Sequence, residues 1–435
     1  MRKGTKKSTE IRHAARELLE KIAASPTAFH VCANIRSELL DNGFLELRES
    51  EPWKLKAPGS YFVERNGSSL IAFCLSGRSS AGYRVFACHS DSPALKLKEA
   101  PELEQGGYIR LNVEKYGGLL CAPWFDRPLS LAGRVIADDG AAISTRLVNI
   151  DRDLLMIPSL AIHFNREAND GYKYSIQKDL LPVFGDAGDQ GSLSALIAEA
   201  AGVSEKKILS RDLYLYARDR GAFWGAREQY LSSPRLDDQE CVWCGLAGLL
   251  TSDPGECTRV LCVFDNEEVG SGTRQGAAGT FFADVLERIE EASGRSAEER
   301  QIAIANSVMI SADNAHAIHP AHIDKADPVN RPHMNGGIVL KFSANQKYTT
   351  DGISAAIVRK ICRDHDIPLQ IFHNHSDLAG GSTLGNISGT QVSMTTADIG
   401  LAQLAMHSPY ESAGVEDVSH MIRFARAFFD TRISG

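Results

Sequence analysis

Ile11, Ala15, Leu18, Leu19 and Ile22 recur at helical spacing, and Ser8 stands where an N-cap would. Ser25-Pro26 predicts a second helix, with Pro at its first position, that ends before Gly43. The pattern then shortens to apolar strands at Ser60–Arg65, Ser69–Cys74 and Tyr83–Cys88, the last running straight into His89. From about residue 100 apolar and polar residues alternate, at Tyr108–Glu114 and in parts of Leu129–Ile136 and Leu160–Phe164, with Gly-rich turns between. That is the texture of half-buried antiparallel sheet. After about residue 225 apolar strands (Arg259–Phe264, Ser307–Ala312, Ile338–Phe342, Leu369–Phe372) alternate with helical stretches (Gln239–Leu250, Ile353–Cys362, Val415–Phe429). The pattern predicts an α/β domain of residues 1–95 and 225–435, interrupted by a β-rich insert at 96–224. The Asp186–Gly191 stretch is a loop, too short and poorly spaced to bind calcium.

The 435 residues are too many for one ordinary domain, and 43% hydrophobic with 23% charged residues is the mix of a soluble globular protein. A net charge of −8 argues against nucleic acid as the main partner. No apolar run approaches the roughly 18 residues of a membrane helix. The basic start, MRKGTKKSTE, has no apolar stretch behind it, so it reads as a frayed arm and not as a secretory signal. Nine scattered cysteines, mostly within apolar runs, fit buried thiols in a reducing cytosol. The Cys241–Cys244 pair reads as two core residues of a helix, because no second pair exists at zinc-site spacing.

Five places set acidic or imidazole side chains beyond a strand or in a loop, where open α/β sheets bind ligands. They are His89 with Asp91, Asp237-Asp238, Asp265 with Glu267-Glu268, Asp313 with His316, and His407. Singly, each has an ordinary reading: a hydrogen-bonded loop histidine, a helix cap, a solvated turn. Together, two histidines and three carboxylates make a ligand set for two divalent ions, as in aminopeptidases and other two-metal hydrolases. The mixed nitrogen and oxygen donors favour zinc, with manganese and cobalt as alternatives. A glutamate next to a ligand, Glu267, is placed to take a proton from an attacking water.

The strings HSDSPALKLK, WFDRPLSLAGRV, SLAIHFNR, PRLDD, DNEEVGS, MISADNAHAIHP and LAMHSPYE, in this order, are similar to motifs of the aspartyl aminopeptidase family of zinc metallopeptidases. The resemblance implies a mixed-sheet zinc-peptidase domain and a dimerising β-rich insert, with dimers assembled into tetrahedral dodecamers. It implies that His89, Asp237 and Asp313 hold one zinc and that Asp237, Glu268 and His407 hold the other. Glu267 would be the general base and acid, and Asp91 the partner of His89. His163 would reach a neighbouring subunit's site, where it could stabilise the developing oxyanion. His316 and Lys341 would line the substrate pocket, whereas His319, His322, His333, His373 and His375 read as surface or structural. The family commonly carries a Pro-Cys-Gly run beyond Ser376-Asp377, where this chain has Leu378-Ala379-Gly380-Gly381. The expected activity is cytosolic release of N-terminal residues, acidic ones first, from peptides with a free amine. The rival readings are a broad-specificity aminopeptidase, a dinuclear deacylase or carboxypeptidase, and a non-catalytic assembly protein; Glu267 speaks against the last.

Overall fold

A computed structural model describes residues 2–76 and 81–432, with side chains described from residue 9 onward. A nine-stranded mixed sheet carries the larger part of the chain. Its order is Leu45–Leu47, Gly59–Arg65, Ser69–Leu75, Thr258–Phe264, Tyr83–His89, Val308–Ala312, Thr395–Gly400, Ile338–Phe342, Leu369–His373. The inner strands read as unbroken apolar runs because both faces are covered. Leu70, Ala72 and Cys74 pack with helices Arg2–Ala24, Ala28–Asp41, Leu236–Thr251 and Val415–Asp430 on one side. Ile71, Phe73 and Leu75 pack with helix Phe281–Ala292 on the other. Helix Leu236–Thr251 sits closely on the last helix because Gly248 has no side chain: a Cβ there would stand 2.5 Å from that of Ala425.

The second sheet is antiparallel, six-stranded and drawn wholly from residues 94–217. Its order is Ile143–Asn149, Leu129–Asp138, Ile208–Ala217, Ala94–Gln105, Tyr108–Tyr116, Val183–Asp186. One face builds its own core with Leu193 and Ile197 of helix Ser192–Ala201.

Three expectations change. The first helix runs from Arg2, so Ser8 lies within it and is no N-cap; the Ser8 side chain is outside the described residues. The second helix starts at Ala28 with Thr27 at its cap. Ser25 is instead tied up in tertiary contacts: its Oγ accepts from Asn34 Nδ2 and its carbonyl from Gln239 Nε2. Leu160–Phe164 is no strand but a turn, closed by Phe164 N–H donating to the Ala161 carbonyl at 2.9 Å. Its alternating apolar residues find no partner strand among the described residues, and Leu160, Ile162 and Phe164 are exposed.

Candidate metal centre

Strands Thr258–Phe264, Tyr83–His89 and Val308–Ala312 lie side by side and parallel, with Phe264 level with His89. Their carboxyl ends therefore deliver His89, the Asp265–Glu268 turn and Asp313 to one edge of the sheet. Asp237 and Asp238 arrive from the opening of helix Leu236–Thr251, and His407 from a turn in which its own φ is +66°. The described residues contain three groups with ligand atoms mutually within 4.8 Å: His89, Asp237, Asp238 and Asp313; His89, Glu267 and Glu268; Asp237, Glu268 and His407. The structure thus brings together His89, Asp237, Glu267, Glu268, Asp313 and His407.

Asp237 lies between the two imidazoles. Its Oδ1 is 3.5 Å from His89 Nε2 and its Oδ2 is 3.4 Å from His407 Nε2, which is also 3.4 Å from Glu268 Oε2. The other ring nitrogens are already committed. His89 Nδ1 is 3.1 Å from the Asp91 carbonyl, and His407 Nδ1 is 3.0 Å from the Gly118 carbonyl. A carbonyl can only accept, so Nδ1 carries the proton in each ring and Nε2 is left facing the cluster.

Asp237 and Asp238 do not cap their helix, since neither has helical φ/ψ and no side-chain cap bond forms. Asp238 Oδ2 accepts the His89 N–H at 3.1 Å. Asp91 accepts the N–H groups of Glu267 at 3.1 Å and Glu268 at 3.2 Å, so it supports the glutamate turn as well as His89. Glu411, fully buried, accepts from Asp237 N–H at 3.0 Å and His407 N–H at 2.7 Å, joining two cluster members through their backbones.

The electrostatics of the cluster call for cations. Five carboxylates face two imidazoles. Burial pushes Glu268 well up, with Asp237 adding to it. Glu267 is pushed up to about 8 by burial, against the pull of His89, with Asp313, Asp91 and Asp237 pushing the same way. Burial would also raise Asp237, but His407 and His89 overcome it and hold that carboxyl below the usual range. Asp237 Oδ1, Asp238 Oδ1 and Glu268 Oε1 are buried and, among the described residues, have no hydrogen-bond partner. Orphaned buried oxygens are costly unless a cation meets them, so this donor set fits divalent metal.

The other expected site residues are placed differently. Lys341 is 2% exposed, and its Nζ donates to the Asp313 carbonyl at 2.7 Å and the Asn314 carbonyl at 3.3 Å. The ammonium therefore fixes the loop of Asp313 rather than standing free in a pocket wall. His163 is exposed in its turn, and among the described residues no hydrogen bond or ion pair joins it to the cluster. His316 opens onto a cavity of about 370 Å³ that also reaches Met406, next to His407. His319, His322, His373 and His375 line that cavity too, with Lys325, Arg331 and the Leu378–Gly381 loop; among the described residues no carboxylate does. Of the histidines read as bland, His333 alone stays outside it.

Sequence reasoning missed Asp238 as a cluster member, Glu411 as a support and the cavity histidines as a group. PRLDD and LAMHSPYE contain the first two, but nothing in a string tells a carboxylate that supports a ligand from one that caps a helix.

The sequence model of the family described as aminopeptidase I zinc metalloprotease (M18) matches residues 21–429. A relative from Clostridium acetobutylicum, named a probable M18 family aminopeptidase 2, is 44% identical over 425 residues, covering 96% of this chain and 98% of its own. A chain in the cryo-EM structure of the Ape4 and Nbr1 complex superposes with a TM-score of 0.94 at 34% identity, over 97% of this chain and 86% of that one. The S. cerevesiae mApe1 dodecamer superposes with a TM-score of 0.85 at 28% identity, over 96% of each chain. With a donor set fit for divalent metal at the sheet edge and matches along nearly its whole length, the chain belongs to the M18 family of zinc metallopeptidases, the aspartyl aminopeptidase family, and is an aminopeptidase.

Proposed function

We propose that the cluster holds two ions, His89, Asp237 and Asp313 around one and Asp237, Glu268 and His407 around the other. The observation that carries this is Asp237, whose two oxygens face the free nitrogens of different histidines at 3.5 and 3.4 Å. Zinc is the first candidate and manganese or cobalt the alternatives for such donors. When bound, the ions polarise the scissile carbonyl and acidify the attacking water. Glu267 takes the proton of that water and returns it to the leaving amine. Asp91 holds the Glu267 N–H so that the carboxylate faces the water. The substrate's free α-amine sits against the carboxylates of the cluster, which restricts cleavage to N-termini.

Acidic N-terminal residues are the preferred ones. The support is the cavity beside His407, whose wall holds five imidazoles, Lys325 and Arg331 and, among the described residues, no carboxylate. A carboxylate losing water there gains charge-assisted hydrogen bonds, which an apolar side chain cannot make. Lys341 serves this site indirectly, through the Asp313 loop.

Residues 96–224 form the dimerising insert. Leu160, Ile162 and Phe164, exposed in the single chain, are the apolar flank that a second copy would cover, carrying His163 into that copy's active site. A dodecamer is the expected assembly, on the likeness to the mApe1 dodecamer. A reducing cytosol suits the nine unpaired cysteines, and no described helix is long and apolar enough to cross a membrane.

Activity on peptides beginning with Asp, Glu, Leu and Ala, each with its N-acetyl form, tests the reading alongside metal analysis. The expected results are an Asp and Glu preference, inert acetylated forms and two ions per chain. Glu267→Gln should keep its metal and lose about 10²–10⁴ in rate; near-normal turnover in a metal-replete variant would refute the base. Asp237→Asn should instead lose metal from both positions.

A further inference from the structure

We propose that Tyr116 is a positioning residue for the turn that carries the general base, so that the six-stranded sheet supplies a working part of the active centre. The proposal rests on the reading of Glu267 as base. Tyr116 ends strand Tyr108–Tyr116 of that sheet. Its hydroxyl leaves the sheet's own core and sits among groups from loops of the other sheet. It donates to Asp91 Oδ2 at 2.7 Å and accepts from Asn266 Nδ2 at 2.9 Å.

Both partners control Glu267. Asp91 Oδ1 accepts the Glu267 N–H at 3.1 Å, and Asp91 Oδ2 accepts the Glu268 N–H at 3.2 Å. Asn266 precedes the base in a left-handed conformation, φ +63°, and its Oδ1 is fixed by Thr273 Oγ1 and Gln275 Nε2, each at 2.9 Å. One hydroxyl therefore ties down the carboxylate on which the base's backbone hangs and the residue from which its turn begins. A side chain's direction follows its backbone, and a misplacement of an ångström can cost far more in rate than in affinity.

The phenol is fixed in turn. Its ring meets Tyr214 edge-on at 5.6 Å. Burial and the Asp91 and Asp265 carboxylates push its pKa up, so it keeps the proton it donates. The next two residues continue the contact: a Cβ on Gly117 would stand 3.1 Å from Glu268 Cβ, and Gly118 supplies the carbonyl under His407. The described contacts of the hydroxyl include no ligand atom of the metal cluster. The effect of its loss should therefore fall on turnover.

Tyr116→Phe removes the hydroxyl and keeps the ring. The loss of one hydrogen bond to a carboxylate that orients the base should lower kcat about tenfold. KM, metal content and assembly should match the wild type. In a Glu267→Gln background the same substitution should cost less than about twofold, because Tyr116 acts through the base. Tyr214→Phe is the control, since its hydroxyl has no hydrogen bond recorded among the described residues; it should leave kcat unchanged. The proposal falls if Tyr116→Phe keeps wild-type kcat, if activity is lost only in proportion to metal, or if the cost is the same in both backgrounds. Normal turnover in Glu267→Gln alone would overturn the base assignment and this proposal with it, and that failure is recognised because it needs no change at Tyr116.

Discussion

Lys341→Met separates two roles for a buried lysine. The resemblance to aspartyl aminopeptidases puts the ammonium against the substrate's acidic side chain, whereas the geometry puts it on the Asp313 and Asn314 carbonyls. A hydrogen bond from a charged donor contributes about 1.5–3 kcal/mol, and the 2.7 Å contact belongs at the upper end. The 3.3 Å contact and the Tyr348 ring, 5.2 Å from Nζ, add about 1 kcal/mol between them. Methionine fills most of the stem volume but leaves both carbonyls without this donor. About 4 kcal/mol of restraint on the Asp313 loop is then lost, equivalent to about a thousandfold in rate if all of it reaches the ligand geometry. The loss should be the same for Asp, Glu, Leu and Ala substrates on one fluorogenic leaving group, and metal content should fall with it. A selective loss on Asp and Glu, with Leu turnover and metal intact, would refute this and show that the ammonium reaches the substrate.

His163→Ala and Glu267→Gln, each inactive alone, should regain activity when mixed and allowed to exchange subunits, because some sites then combine an intact base with a neighbour's intact histidine; no recovery after verified exchange would confine His163 to its own chain or to folding. His30 is held neutral by burial and by Arg235, its pKa lowered to about 4, so the unfolded chain binds the extra proton first. Its contribution is complete above about pH 6.5 and is lost as pH falls towards 4, at roughly 1.4 kcal/mol per pH unit. His30→Gln should therefore flatten the fall in Tm across that window, and parallel Tm curves would contradict it.

Much of the sheet edge was legible because a two-faced buried strand is an unbroken apolar run, and a polar residue after it marks where the strand leaves the core. His89, Glu267-Glu268 and Asp313 all stand at such ends. Asp237-Asp238 was harder, since two acids before a helix look the same whether they cap it or face a cavity. Glu411 and Tyr116 gave no signal, because each gains its role from a residue far along the chain: Asp237, 174 residues from Glu411, and Asn266, 150 residues from Tyr116. Leu160–Phe164 shows the opposite failure. Alternation identifies residues suited to a pleated surface and says nothing of whether a neighbouring strand is available. Lys341 lies within strand Ile338–Phe342, a strand the apolar run predicts, but the direction of its side chain is set by loops that meet only in the folded chain.

The residues gathered at the sheet edge come from positions as far apart as 89 and 407. A ribosome adds roughly 5–20 residues per second and releases the N-terminal part first. Between residues 268 and 407 the emerging polypeptide has His89 and the glutamate turn but no His407 and no Glu411 behind it. On the proposed ligand set, a product terminated before residue 407 lacks one member of the Asp237, Glu268 and His407 group and should be an inert fragment, harmless to the exposed N-termini of other newborn proteins.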